Sequence, residues 1–455
     1  MGISRKKWNK EMILMILSLA WPTMLEQAMQ TAVQYIDFAM VGSLGTQATA
    51  AVGATTTVSW LVGSSTSAMG IGFLSYIARS LGAGEGERAK RASAQAVLAV
   101  LAVGTLFTAL CLGLSPWIPV WMQVDPAIQS LAARYFFILY APMLPRTATA
   151  IFGMVLRSAG DTKTPMKIGA WVNLINVILN FLLIYPSRAL GSFVIPGAGL
   201  GVIGAALASA VAFTFGGIAI TLVLWRHPSI SPRGKTIKPD REILAPCLKV
   251  AIPNMLQRFG TSFGYVAFAS MVNSLGEVAT AAHTIANTVE SAFYIPGYGM
   301  QTAAATLAGN AYGARDRKRM KEVASMFLPI EVILMVISGG ALFIFAPNLV
   351  NIFTDNPQVL ALSVYVLRMV ALFEPIYGYT IIVEGLMLGV GRTKIPFIYN
   401  IIGMWGVRIV GTYICTHILG YGLISAWACM LGHIILMFVL FMITYVRGKW
   451  NPLEA

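Results

Sequence analysis

Four polar side chains share one face of the first apolar segment of this chain. Glu26, Gln30, Gln34 and Asp37 follow one another at steps of four, four and three. On an α-helix that spacing leaves Glu26 and Asp37 only about 20° apart around the axis. Apolar residues flank the stripe on both sides. A carboxylate in hydrocarbon costs about 2.5–3.5 kcal/mol on insertion scales, so the stripe must face other helices or water. Asp37 is then a candidate for chemistry rather than packing. Pro22, four residues before Glu26, cannot donate to the helix ladder and is the expected hinge.

A second stripe holds Asn173, Asn176 and Asn180, at steps of three and four. Amide oxygens and a carboxylate are hard ligands suited to Na⁺, or partners able to hold a proton on Asp37. The plainer uses are amides bonding helix to helix and a permanent ion pair of Asp37 with Arg134, Arg146 or Arg157. A third stripe, His283, Asn287 and Glu290, is expected to line a substrate path together with Glu26, Gln30 and Gln34. His283 is of the type that changes charge near neutrality. Glu331, Glu374 and Glu384 also fall at membrane depth. Ion pairs with Arg258, Arg368 and Arg408 are their expected use, Glu374 with Arg408 among them.

The elements that position these groups follow from composition. Of 455 residues, 57% are hydrophobic and 11% charged, far below the roughly 25% charged of soluble domains. Spans of about 20 apolar residues cross a bilayer. Twelve are placed at 12–41, 49–78, 93–120, 130–156, 166–186, 198–225, 243–273, 280–310, 323–353, 358–388, 396–418 and 421–446. The first is too long for a cleavable signal peptide and carries two acids. Cys111, Cys247, Cys415 and Cys429 form no paired motif, so no disulfide or metal framework is expected.

The net charge of +14 has a simple use. Lys and Arg gather in RKKWNK, GERAKR, RSAGDTKTPMK, RHPSISPRGKTIKPDR, ARDRKRMK, GRTK and VRGK, the termini and alternate loops. Intervening loops such as SLGTQA and SLGEVA are nearly free of them. Twelve spans with both termini cytoplasmic satisfy the positive-inside rule, so no nucleic-acid partner is needed to explain the charge.

The chain also repeats itself at a spacing of 231 residues. SLGTQATAA at 43–51 becomes SLGEVATAA at 274–282, and GDTKTP at 160–165 becomes GRTKIP at 391–396. The spacing later shortens, because GLGVIGAALAS at 199–209 aligns with GYGLISAWACM at 420–430; SRALGSFVIP is the expected insertion. The reading is an all-α polytopic membrane protein with two six-helix lobes, 1–226 and 243–455. A cytoplasmic basic linker, 227–242, joins them. Six being even, both lobes enter the membrane with the same orientation, a parallel repeat typical of transporters. Asp37 maps to Phe268, Asn176 to Val407 and Asn180 to Gly411, so the acid and its amides occur in the first lobe only.

P-x14-D-x3-VG in the first span, LGAG after the second, and RSAGDTKTP before an Asn-rich fifth span resemble the multidrug and toxic compound extrusion (MATE) family, across nearly the whole chain. The major facilitator family shares the two-half plan but not the TKTP/TKIP pair. The resemblance implies cation or proton binding in the first lobe by Asp37, Asn176, Asn180 and Ser209. Ser209 stands where Thr is common and Asn180 where some relatives have a second acid. The acids that some members use in the seventh and tenth helices are Thr261 and Tyr377 here.

The expected function is a secondary antiporter in the cytoplasmic membrane. It would act as a monomer and export amphipathic, cationic organic compounds in exchange for Na⁺ or H⁺, with no other cofactor. A flippase for a lipid-linked precursor is the alternative. It would call for several cationic residues in one cavity, whereas Arg134, Arg146, Arg258, Arg368 and Arg408 are scattered. No GxxxxGK[ST] loop is present for ATP, and no HExxH or nucleophile motif points to an enzyme.

Overall fold

The computed structural model describes residues 10–122, 124–190 and 193–454. Most of the basic run RKKWNK therefore lies outside the described residues. The first repeat comprises α1 (Lys10–Gly42), α2 (Thr46–Gly82), α3 (Gly86–Leu114), the short α4 (Ile118–Trp121), α5 (Pro126–Tyr140), α6 (Met143–Ser158), α7 (Lys163–Ile184) and α8 (Gly201–Arg226). The second comprises α9 (Arg241–Asn273), α10 (Glu277–Gly313), α11 (Arg317–Asn351), α12 (Pro357–Ala371), α13 (Glu374–Gly389), α14 (Lys394–Ile418) and α15 (Leu423–Val446).

The offset of 231 is kept by the helix boundaries themselves. It relates both ends of α1 to α9, of α2 to α10, of α5 to α12 and of α6 to α13. Among the described residues, eight single helices are long and apolar enough to cross a membrane, and the bent pairs α5–α6 and α12–α13 add two. Helices α9 and α10 complete the twelve as counterparts of α1 and α2. Polar residues such as Arg258, His283 and Glu290 dilute their hydropathy.

The continuous spans expected at 130–156 and 358–388 are broken instead. The chain bends by 49° between α5 and α6 and by 52° between α12 and α13. Pro142 precedes α6 and Pro375 opens α13, and neither can continue the preceding helix ladder. The SRALGSFVIP insertion falls in an antiparallel hairpin of β1 (Pro186–Leu190) and β2 (Phe193–Ala198).

By packing, the chain divides into two compact units. One takes Ala28–Ile77 and Glu85–Leu248. In it α8 packs on α5, α6 and α7, and α3 packs on α6. The basic linker is fastened here to α3. Buried Gln95 donates to the Lys238 carbonyl at 2.7 Å and accepts from the Asp240 N–H at 3.0 Å. Arg91 pairs with Asp240 at 2.5 Å, and Lys235 pairs with Glu87. The other unit takes the chain up to Gln27, Ala78–Gly84 and Lys249–Ala455. Its core is built from α10, α11, α13 and α15, with Met12, Ile16, Leu19 and Ala20 of α1 packed into it.

The turn after α2 ends on Gly84 at φ +76°; its counterpart after α10 is Arg315 at φ +53°. A side chain in that left-handed region costs roughly 1–2 kcal/mol, partly offset by the freedom a glycine loses on folding. Arg315→Gly is expected to stabilise the protein by about 1 kcal/mol, read as a raised melting temperature with unchanged transport.

Candidate functional site

Helices α1, α7 and α8 bring four of the predicted residues together. Asp37, half-buried on α1, accepts a hydrogen bond from Asn180 Nδ2 at 2.5 Å. Asn176, one turn earlier on α7, sets its amide against both carboxylate oxygens, at 2.8 and 3.2 Å. On its other side the same amide meets Ser209 Oγ of α8 at 2.9 Å. Asn176 and Asn180 are only 5% and 1% exposed, so these bonds are made away from solvent.

The same atom positions admit two arrangements of the Asn176 amide. With its nitrogen toward Asp37, it donates to a bare carboxylate while its oxygen accepts from the Ser209 hydroxyl. With its oxygen toward Asp37, it accepts from Asn180 Nδ2 at 3.0 Å and its nitrogen donates to Ser209 Oγ. The second arrangement leaves an amide oxygen and a carboxylate oxygen 2.8 Å apart. Two acceptors at that distance need a proton or a cation between them. Asn180 Oδ1 is buried without a protein partner, a further oxygen for such a cation. Carboxylate, amide oxygen and hydroxyl form a hard donor set, suited to Na⁺ or a proton rather than to a soft metal. No cluster of three or more His, Cys, Asp or Glu side chains able to hold a metal occurs among the described residues.

The close approach of α7 and α8 makes this possible. A Cβ on Gly204 would stand 2.5 Å from the Leu183 carbonyl oxygen. Only glycine lets the two backbones come near enough for Ser209 to reach Asn176.

The permanent ion pair is not formed: no salt bridge involves Asp37 among the described residues. Arg134 is exposed. The Arg146 guanidinium stacks 4.7 Å from the ring centre of Tyr140 and 4.3 Å from that of Phe213. Asn173 is not drawn into the group, and its Nδ2 is buried without a partner. Tyr135 of α5, which lies in electrostatic reach of Asp37, escaped the reading because nothing in its apolar stretch marks it.

The other stripes fare differently. Glu26 is buried, in the part of α1 that belongs to the other unit, whereas Gln30 and Gln34 are exposed. Pro22 is buried inside an unbroken α1; next to it Thr23 Oγ1 donates to the Ala20 carbonyl at 2.8 Å and the Gly299 carbonyl at 3.0 Å. Asn287 is exposed and Glu290 buried. His283 is edge-on to Phe268 and Trp427, with ring centres 5.5 and 5.9 Å away, and its Nδ1 has no partner.

The expected Glu374–Arg408 pair is absent. Arg408 lies between two aromatic rings instead, and Glu374 Oε2 has no hydrogen-bond partner. Gln257 donates to Glu384 at 2.6 Å, and the hydroxyls of Tyr298 and Tyr377 meet at 2.8 Å. These partners sit in different spans, so no spacing in the sequence announces them.

A hydroxyl at 209 serves both amide arrangements, because it can donate or accept. Ser209→Ala is expected to weaken binding of whichever ion neutralises Asp37 by about fivefold, the worth of one hydrogen bond. Ser209→Thr should keep wild-type affinity. Ion-dependent changes in melting temperature, measured on both variants, check this.

A model of the MatE family matches residues 22–182 and again 253–414, one match in each repeat. The chain is similar to a protein of Thermotoga maritima named probable multidrug resistance protein NorM. The identity is 27% over 436 residues, covering 96% of this chain and 92% of the other. It is also similar to the probable multidrug resistance protein YoeA of Bacillus subtilis, at 26% identity over 422 residues, 89% and 87% of the two chains. A solved structure described as the outward-facing conformation of a multidrug resistance MATE family transporter superposes with a TM-score of 0.88, at 23% identity over 99% of this chain and all of that one. A structure of MATE in the bent conformation gives 0.87, at 23% identity over 98% and 99%.

Proposed function

This chain belongs to the MATE family of membrane transporters, and we propose that it is a secondary antiporter. On this reading it exports amphipathic, cationic organic compounds in exchange for Na⁺ or H⁺, by alternating access, as a monomer in the cytoplasmic membrane. Relatives named as multidrug resistance proteins support drug-like substrates. The observation that carries the coupling is Asp37 met by the amides of Asn176 and Asn180, with no cationic side chain in salt-bridge contact among the described residues. A carboxylate held this way has an open requirement for a positive charge, and an exchangeable ion meets it.

The amide geometry suggests how loading is transmitted. A proton or Na⁺ at Asp37 favours the Asn176 oxygen facing it, and loss of the ion favours the nitrogen. Ser209 on α8 reverses its hydrogen bond with each change. The ion thereby alters the joint between α1, α7 and α8. Bending of α1 near Pro22, which cannot donate to the helix ladder, would carry the change along the helix.

Dye export from vesicles, with pH and sodium gradients imposed separately, identifies the ion. Asp37→Asn is expected to abolish gradient-driven export while the protein still folds and inserts, because Asn keeps size and hydrogen bonding without charge. Normal export by that variant would make Asp37 structural. Asn180→Asp should change the ion and pH dependence more than drug affinity, because a second negative charge deepens the local potential. Asn180→Leu should cripple coupling by removing a donor to Asp37. Unchanged dependence in both Asn180 variants would sink the site.

On this reading both termini lie on the cytoplasmic side, as the positive-inside rule suggests. Labelling of Glu277→Cys or Ser43→Cys by an impermeant thiol reagent from outside the cell is the expected result; labelling only from the cytoplasm would reverse the topology. Gly45 is a poor place for the probe, since its φ of +111° disfavours any side chain.

A further inference from the structure

Helix α14 is not wound like its counterpart α7. Residues Ile402–Ile409 and Ile414–Ile418 form wide π-type turns. Such turns absorb extra residues and rotate everything beyond them. The buried faces of the two helices record that rotation. In α7 the buried positions include Pro165, Val172, Asn176, Asn180 and Ile184. In α14 Pro396 and Gly403 keep the offset of 231, but from Met404 on the buried positions are Met404, Arg408, Thr412 and Thr416, one residue later than the offset requires. The structural counterpart of Asn176 is therefore Arg408, not Val407, and that of Asn180 is Thr412, not Gly411.

The partner helix matches this exchange. Asp37 and Gln34 of α1 correspond to Phe268 and Tyr265 of α9. The Arg408 guanidinium lies 4.3 Å from the ring centre of Phe268 and 4.7 Å from that of Tyr265. Arg408 is only 3% exposed, and its Nε has no hydrogen-bond partner. No carboxylate forms a salt bridge with it among the described residues. The position of Ser209 is taken by the buried Met430, at the shorter offset of 221. The first repeat offers a carboxylate, two amides and a hydroxyl. The second offers two ring faces and a cation already in place.

We infer that Arg408 is a resident cation, filling in the second repeat the place where the first repeat takes its exchangeable ion, so that this place binds no second coupling ion. The comparison with the first repeat rests on the proposed role of Asp37; the presence of a held cation does not. A guanidinium suits the role. It keeps its charge at any physiological pH, its flat faces stack on rings, and its stem cannot dissociate. The second repeat is thus held permanently in the state that the first reaches only when loaded.

The experiment uses the full-length protein in detergent micelles and in vesicles. Arg408→Gln is expected to lower the melting temperature by about 3 °C or more, the loss of a stacked cation, and to reduce dye export. Arg408→Lys should retain most of both, since an ammonium also binds ring faces. In Arg408→Ala, added methylguanidinium should raise the melting temperature saturably, with no such effect on the wild type. If Arg408→Gln does not accumulate as folded protein, Phe268→Leu keeps an apolar side chain, removes the ring and should show the same loss. Wild-type behaviour of Arg408→Gln or of Phe268→Leu would overturn the inference. So would Arg408→Lys as defective as Arg408→Gln, or no effect of methylguanidinium on Arg408→Ala. The melting measurements need no ion gradient. Their failure is therefore separate from a failure of the Asp37 reading, which gradient-driven export by Asp37→Asn tests.

Discussion

The site depends on one unsettled charge. Asp37 places a carboxylate at membrane depth and surrounds it with amides rather than with a salt bridge. A salt bridge would settle the charge once and leave nothing to exchange. Amides cannot settle it. They donate to the bare anion through nitrogen or share an added cation through oxygen, so the same side chains serve both charge states. The close packing of α7 on α8 at Gly204 and the burial of Asn180 keep water from taking over that role.

The contrast with the second repeat sharpens this reading. Duplication supplies two copies of one helical frame, and the helix ends still agree at an offset of 231. Side chains at the matching place have diverged to opposite electrostatic solutions. Phe268 and Tyr265 stand where an acid and an amide stand in the first repeat, and Arg408 stacks between them. Neither solution closes a salt bridge among the described residues, although the buried Glu290 lies in electrostatic reach of Arg408. One leaves the positive charge to come from outside; the other builds it in.

Much of the frame is legible in the sequence, because hydrophobic runs and loop charges report directly on the membrane. The repeat and the convergence of Asp37, Asn176, Asn180 and Ser209 follow from residue spacing and family resemblance together. What escapes is geometry set by backbone irregularity and by packing across spans. The breaks before Met143 and Glu374 are proline effects inside apolar stretches that read as continuous. The π turns of α14 leave no compositional mark, yet they shift its face by one residue and replace Val407 with Arg408. The pairing expected of Glu374 and Arg408 failed for a related reason: charge inventory along a sequence cannot tell whether an arginine will meet an acid or a ring.

The phase shift also shows how a repeated protein can become asymmetric at small cost. Replacing the acid by Phe268 alone would leave a neutral pocket facing valine and glycine. One extra residue accommodated in a wide turn instead rotates a cation into that pocket, while the start of the helix keeps its offset of 231. The helix pays for the wide turn in poorer hydrogen-bond geometry, and the stacked guanidinium offsets part of that loss. Because Arg408 cannot leave, the two repeats cannot exchange roles. On the proposed reading, an ion arriving at Asp37 changes the charge of one repeat only, so a single ion can bias the cycle.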